Sequence, residues 1–127
     1  MATQVFDRSP EEVAAVRRFI DQVLAAHPAR DDARLLASEL VTNAIRYGGD
    51  GKITVSAAMC HYWIQVAVID DGIDGVPHSQ AFDEDAEDGR GLLVVDRVAS
   101  RWGFVREHQS TTVWFELPIA SRVQIDE

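Results

Sequence analysis

Glu39-Leu40-Val41-Thr42-Asn43-Ala44, set inside a helix-forming run, and Gly89-Arg90-Gly91-Leu92, far downstream, decide how this chain reads. Glu39 and Asn43 are four residues apart, so a helix sets both on one face. The carboxamide oxygen of Asn43 suits a hard cation such as Mg2+, and Glu39 can hold a water or accept a proton. A glycine-rich turn that opens a later helix offers bare backbone N–H groups to a phosphate. The helix N-terminus adds a favourable field, and Arg90 either adds charge there or stays solvated. Taken together, the two stretches point to a site for a metal–nucleotide complex.

Working outward, the first stretch sits in a helix from Asp31 or Asp32 to about Tyr47, ended by Gly48-Gly49. Leu36, Leu40, Ala44 and Ile45 supply much of its apolar face, and Glu39, Asn43 and Arg46 form a polar stripe beside them. Upstream, Ser9-Pro10-Glu11-Glu12 is a helix start: Ser9 caps, Pro10 suits the first helical position and Glu12 completes a capping box. Val13, Val16, Phe19, Ile20, Val23 and Leu24 follow at helical spacing, and Pro28 stops that helix. Residues 3–6 suit a short edge strand.

Downstream, Lys52–Cys60 alternates and Trp63–Ile69 is more continuously apolar, so the pair reads as an antiparallel hairpin turning at His61-Tyr62. Asp70-Asp71-Gly72-Ile73-Asp74-Gly75-Val76-Pro77 then breaks the chain into a turn-rich loop. Residues 78–90 lack periodicity, carry five carboxylates from Asp83 to Asp88, and read as a mobile loop. From Gly91 to about Ala99 the pattern returns to helix, with Leu92, Val95, Val98 and Ala99 inward. Trp102–Arg106 and Thr111–Leu117 read as a second antiparallel pair, and the tail from Ala120 as frayed. This order predicts an α+β fold: a two-layer α/β sandwich whose mixed, mostly antiparallel sheet is covered on one face by helices.

A chain of 127 residues implies a single domain, 1–127, able to bury roughly two-thirds of its unfolded surface. Hydrophobic residues at 46% and charged residues at 26% fit a soluble globule, and no apolar run approaches the ~20 residues of a membrane span. The N-terminus has neither the basic nor the apolar region of a signal peptide. The single Cys60 excludes an internal disulfide and fits a reducing cytoplasm, packed within its strand. A net charge of −9 argues against direct nucleic-acid binding and permits a basic protein partner. Four scattered histidines show no metal-ligand spacing, and neither a nucleophile elbow nor a Walker-type Gly-Lys-Ser/Thr is present. Trp63, Trp102 and Trp114 fall in strands and read as core or interface bulk.

Each motif alone has a bland alternative: a solvated helix face for Glu39 and Asn43, an ordinary turn for Asp70-Asp71-Gly72, a helix entry for the two later glycines. Asp70 gains weight from its place, where an apolar strand gives out. A carboxylate there can accept from the exocyclic amine of adenine and so tell it from guanine.

Glu39-x-x-x-Asn43, Asp70-x-Gly72, Gly89-x-Gly91-Leu92 and Thr112, in this order and spacing, resemble the N, G1 and G2 boxes and final threonine of the GHKL ATPase superfamily, which has the Bergerat nucleotide-binding fold. Glu-Leu-Val-Thr-Asn-Ala-Ile-Arg and Gly-Arg-Gly-Leu-Leu-Val-Val-Asp look most like its single-domain branch, the anti-sigma factor serine/threonine kinases. The resemblance covers about residues 8–118. It implies ATP and Mg2+ as cofactors, with Asn43 ligating the metal and Glu39 as general base. It implies that Asp70 binds the adenine amine, that Thr112 braces it through water, and that Gly72 lets the backbone approach the base. Gly89, Arg90, Gly91 and Leu92 would lie against the phosphates, with Arg46 in reach of them. It further implies a sigma factor and an antagonist protein as partners, and relatives of this kind suggest a homodimer. The chain departs from the pattern in the G1 box, where Asp74 stands at the usual last glycine and Gly75 follows one residue later. With an acidic segment before Gly89, that departure keeps a second reading open: a catalytically silent module that binds nucleotide or a partner protein and acts only through protein–protein contact. The catalytic domain of a histidine kinase is a weaker third reading, because no phosphoacceptor helix pair accompanies the site.

Overall fold

Alternation in residues 53–71 builds the middle of the sheet. The computed structural model describes residues 1–60, 62–71 and 90–118. Its elements run β1 (Ala2–Phe6), α1 (Glu12–Leu24), α2 (Arg30–Tyr47), β2 (Ile53–Met59), β3 (Trp63–Asp71), α3 (Arg90–Val98), β4 (Arg101–Glu107) and β5 (Ser110–Pro118). The strands form one sheet in the order β1-β2-β3-β5-β4. Every pairing among the described residues is antiparallel. The fold is the expected α+β sandwich.

Ile53 and Val55 of β2, Val66 and Val68 of β3, and Phe115 of β5 point to one face and are buried there. They meet Val16 and Ile20 of α1, Leu36 and Val41 of α2, and Val95 of α3 in a single core. Burial on every second strand residue and every third or fourth helix residue is what packing a pleated sheet under helices requires. Between the helices, Arg17 Nε donates to Ser38 Oγ at 2.9 Å, and Arg34 Nη1 donates to Asp21 Oδ1 at 3.1 Å. These bonds fix the rotation of α2 against α1.

Several local expectations change. α1 begins at Glu12 with no side-chain cap; Ser9 bonds instead to the Glu11 carboxylate, and Glu12 Oε1 accepts from the backbone N–H of Asp7 at 3.0 Å. The Ser9 hydroxyl holds the Glu11 carboxyl below its ordinary pKa. α1 ends at Leu24, well before Pro28, because Ala25 turns the chain with a φ of 47°. Cys60 lies exposed past the end of β2 rather than packed in it. Trp102 is half-buried and donates through Nε1 to Asp96 Oδ1 at 2.9 Å, whereas Trp63 is exposed. Trp114 lies half-buried on the face away from the helices, with the Arg101 guanidinium 5.8 Å from its ring centroid. The acidic segment before Gly89 and the tail from Ala120 lie outside the described residues. Among the described residues, no helix is long and apolar enough to cross a membrane.

Candidate functional site

α2 carries three of the expected residues along one stripe. Its buried side, from Ala33 through Leu36, Ala37, Leu40 and Val41 to Ala44, faces the sheet and its helical neighbours. That phase leaves Glu39 and Asn43 half-buried at the margin and Arg46 exposed. The side-chain nitrogen of Asn43 is buried with no hydrogen-bond partner among the described residues. Oxygen and nitrogen of such an amide are exchanged by rotation, so the buried, unmatched atom can equally be the oxygen. A buried amide left unmatched costs free energy and calls for an explanation; Arg30 Nε and Glu116 Oε1 are also unmatched, but neither lies on the polar stripe of α2. α3, which opens with Arg90, Gly91 and Leu92, packs against α2. The structure thereby brings α3 onto the helix that holds Glu39 and Asn43.

β3 carries the second group. Asp70 falls inside the strand rather than in the turn beyond it, paired with Ile53 on one side and Thr111 on the other. It is only 5% exposed. Its Oδ2 accepts from the backbone N–H of Gly49 at 3.3 Å, and its Oδ1 accepts from Arg8 Nη2. Thr111 stands directly across from Asp70, on the same face, and is also 5% exposed. Thr112 stands across from Ile69, turned to the opposite face. The hydroxyl beside the carboxylate therefore belongs to Thr111, one residue before the expected Thr112. A side-chain period of two makes a one-residue slip a change of face, and two adjacent threonines give the sequence no means of choosing.

Three residues join the site that sequence reasoning passed over. Arg8, just beyond β1, donates through Nε to the Gly51 carbonyl at 3.0 Å and through Nη1 to the Ala44 carbonyl. It also donates through Nη2 to the Asp71 carbonyl at 3.4 Å. Gly48 ends α2 with an extended backbone, its N–H bonded to the Ala44 carbonyl at 2.9 Å. Its φ is negative, so conformational freedom is not the reason for glycine here. The reason is space: a Cβ at Gly48 would overlap both Asp70 Oδ2 and the Ala44 carbonyl oxygen. Gly49 supplies the N–H to Asp70. The Gly48-Gly49 pair was legible as a helix stop, but its contact with Asp70 spans the chain. Arg8 carried no local signal at all.

Among the described residues no group of three or more His, Cys, Asp or Glu could cage a metal. The donor set fits a cation that keeps several waters and takes one protein ligand together with substrate phosphates, which is the habit of Mg2+. An Asn43 carboxamide presenting its oxygen would supply that ligand. Gly72 and Gly89 lie outside the described residues, as does the departure at Asp74. Of Arg90, Gly91 and Leu92 only the backbone is placed. Arg46 has an interaction of its own within the fold.

A family model described as the histidine kinase-like ATPase domain matches residues 6–117. Solved structures are also similar, two histidine kinases among them. The histidine kinase AdeS of Acinetobacter baumannii matches with a TM-score of 0.58 at 13% identity, over 95% of this chain and 69% of that one. A histidine kinase domain from the blue-light activated histidine kinase of Erythrobacter litoralis matches with a TM-score of 0.62 at 17% identity, over 93% of this chain and 65% of that one. At these identities the likeness is one of fold. No protein of curated function matches in sequence.

Proposed function

The chain belongs to the histidine kinase-like ATPase domain family, and we propose that it acts as an ATP-dependent regulatory protein kinase of the anti-sigma factor type. In this reading it phosphorylates a serine or threonine on a small antagonist protein and separately sequesters a sigma factor, in the cytoplasm and as a homodimer. The family supports the ATP-binding role. The narrower branch and both partners rest on the wording of residues 39–46 and 89–96. The observation that carries the reading is the buried, unmatched carboxamide of Asn43, on the same helix whose end touches Asp70.

Asp70 accepts from the exocyclic amine of adenine; guanine presents a carbonyl oxygen at that position and is repelled. Thr111 lies beside that carboxylate and can hold a bridging water. At the other end, Asn43 holds Mg2+, which supplies charge neutralisation to the phosphates. Backbone N–H groups at the start of α3 receive phosphate oxygens. Glu39, one turn before Asn43, takes the proton from the attacking seryl or threonyl hydroxyl as that oxygen bonds to the γ-phosphorus and ADP leaves. Most of the acceleration in such transfers comes from positioning and electrostatics, so a single weak base suffices.

The test is thermal shift with Mg·ATP against Mg·GTP, followed by labelled-phosphate transfer to an antagonist captured from the source cell. Stabilisation by the adenine nucleotide alone is expected, because a ligand that binds the native state raises its melting point. Glu39→Ala should keep that shift and lose transfer, while Asn43→Ala should lose the Mg-dependent part of the shift. Normal transfer by Glu39→Ala rules it out as the base. A second reading, a silent partner-binding module, is favoured by one observation: Asp70 is already held by Arg8.

A further inference from the structure

We infer that Arg8 is an internal competitor for the base-reading carboxylate, so that adenine nucleotide binds only when the Arg8 clasp opens. The inference rests on the reading of Asp70 as the adenine acceptor. It deepens that reading by naming a residue that sets affinity and lies outside the motifs quoted from the sequence.

The clasp is built from one side chain and four acceptors. Arg8 reaches the Asp70 carboxylate, the Ala44 carbonyl near the end of α2, the Gly51 carbonyl before β2 and the Asp71 carbonyl at the end of β3. Its side chain is 15% exposed and that of Asp70 is 5% exposed, so water screens the pair little. Both carboxylate oxygens are engaged, Oδ1 by Arg8 and Oδ2 by the Gly49 N–H. The Arg8 guanidinium brings a full opposite charge to the carboxylate, which the neutral amine of adenine does not. The exocyclic amine of adenine therefore cannot displace Arg8 by that contact alone. Binding energy from the rest of the nucleotide has to open the clasp, and apparent affinity falls by the fraction of molecules in which it is open.

A plain structural role for Arg8 has a different signature. Were it only a tie between α2 and the sheet, removing it would loosen the end of α2 and weaken nucleotide binding. As a competitor, its removal weakens the fold and strengthens binding, and the two effects take opposite signs.

The experiment is calorimetric titration of the full chain and its Arg8→Ala and Arg8→Lys variants with Mg·ADP, Mg·GDP and inorganic pyrophosphate with Mg2+, with circular dichroism to confirm folding. Arg8→Lys keeps the charge but cannot span four acceptors, and it serves if Arg8→Ala does not fold. The expected result is Mg·ADP affinity raised at least tenfold in Arg8→Ala and by a smaller factor in Arg8→Lys, with little change for Mg·GDP or pyrophosphate. Unchanged or weaker Mg·ADP binding by folded variants overturns the competitor role while leaving the adenine site standing. A gain of equal size for pyrophosphate also overturns it, because the effect would then be general attraction of anions. If neither the natural chain nor either variant binds Mg·ADP, the adenine reading itself falls, and the inference with it.

Discussion

A double-mutant cycle on Arg8 and Asp70 measures how much the two ends of the sheet-to-helix clasp depend on each other. Asp70→Ala leaves the Arg8 guanidinium with only backbone carbonyls, in a place where 15% of its side chain meets water. Arg8→Ala leaves the Asp70 carboxylate, 5% exposed, without its charged partner but still bonded to the Gly49 N–H. Breaking a buried pair from one side typically costs 3–5 kcal/mol, because an uncompensated charge stays behind. Since each partner here keeps some hydrogen bonds, the low end applies, about 3 kcal/mol for each single change. The double variant removes both charges and leaves neither stranded, so it should cost about 4 kcal/mol, a coupling of about 2 kcal/mol. Unfolding entropy for 127 residues is about 0.27 kcal/mol/K, so each single change should lower the melting temperature by about 11 °C. Urea titration of all four proteins gives the cycle directly. Additivity within about 0.5 kcal/mol would refute the reasoning, because it would mean that the two side chains do not share an interaction.

Other outcomes follow from single features of the fold. Ala25→Gly should stabilise the chain by about 1 kcal/mol, read from the urea midpoint, because a φ of 47° with a ψ of −120° is a conformation that only glycine adopts without strain. Gly48→Ala should destabilise by at least 1–3 kcal/mol, an overpacking penalty. It should also abolish the adenine-selective thermal shift, since the added carbon collides with Asp70 and with a backbone oxygen that cannot swing away. Thr111→Val should lower Mg·ADP affinity several-fold while Thr112→Val leaves it unchanged. The opposite pattern would refute the placing of Thr111, across from Asp70, as the hydroxyl that serves the site.

The periodic part of the fold was readable from sequence, because burial repeats with the pitch of each element. The hairpin of β2 and β3, the polar stripe of α2 and the helix beginning near Gly91 all declare themselves by local spacing. The site was half readable. Glu39 and Asn43 share a turn, so their neighbourhood is fixed by sequence alone. Asp70 and Arg8 are 62 residues apart and meet only because β1 and β3 flank β2. Nothing near Arg8 marks it. Where polar residues compete locally the sequence also misled: Ser9 and Glu12 had the spacing of a capping box, yet each found another partner within a few residues.

Gly48 has a consequence for how the ends of the candidate site communicate. It lies five residues beyond Asn43, and its bare Cα sits against the Asp70 carboxylate with no side-chain atom to cushion the contact. The carboxamide and the helix end are thus joined by little more than one turn of α2. On the proposed reading, substitutions that soften that last turn should blur base selectivity and metal dependence together.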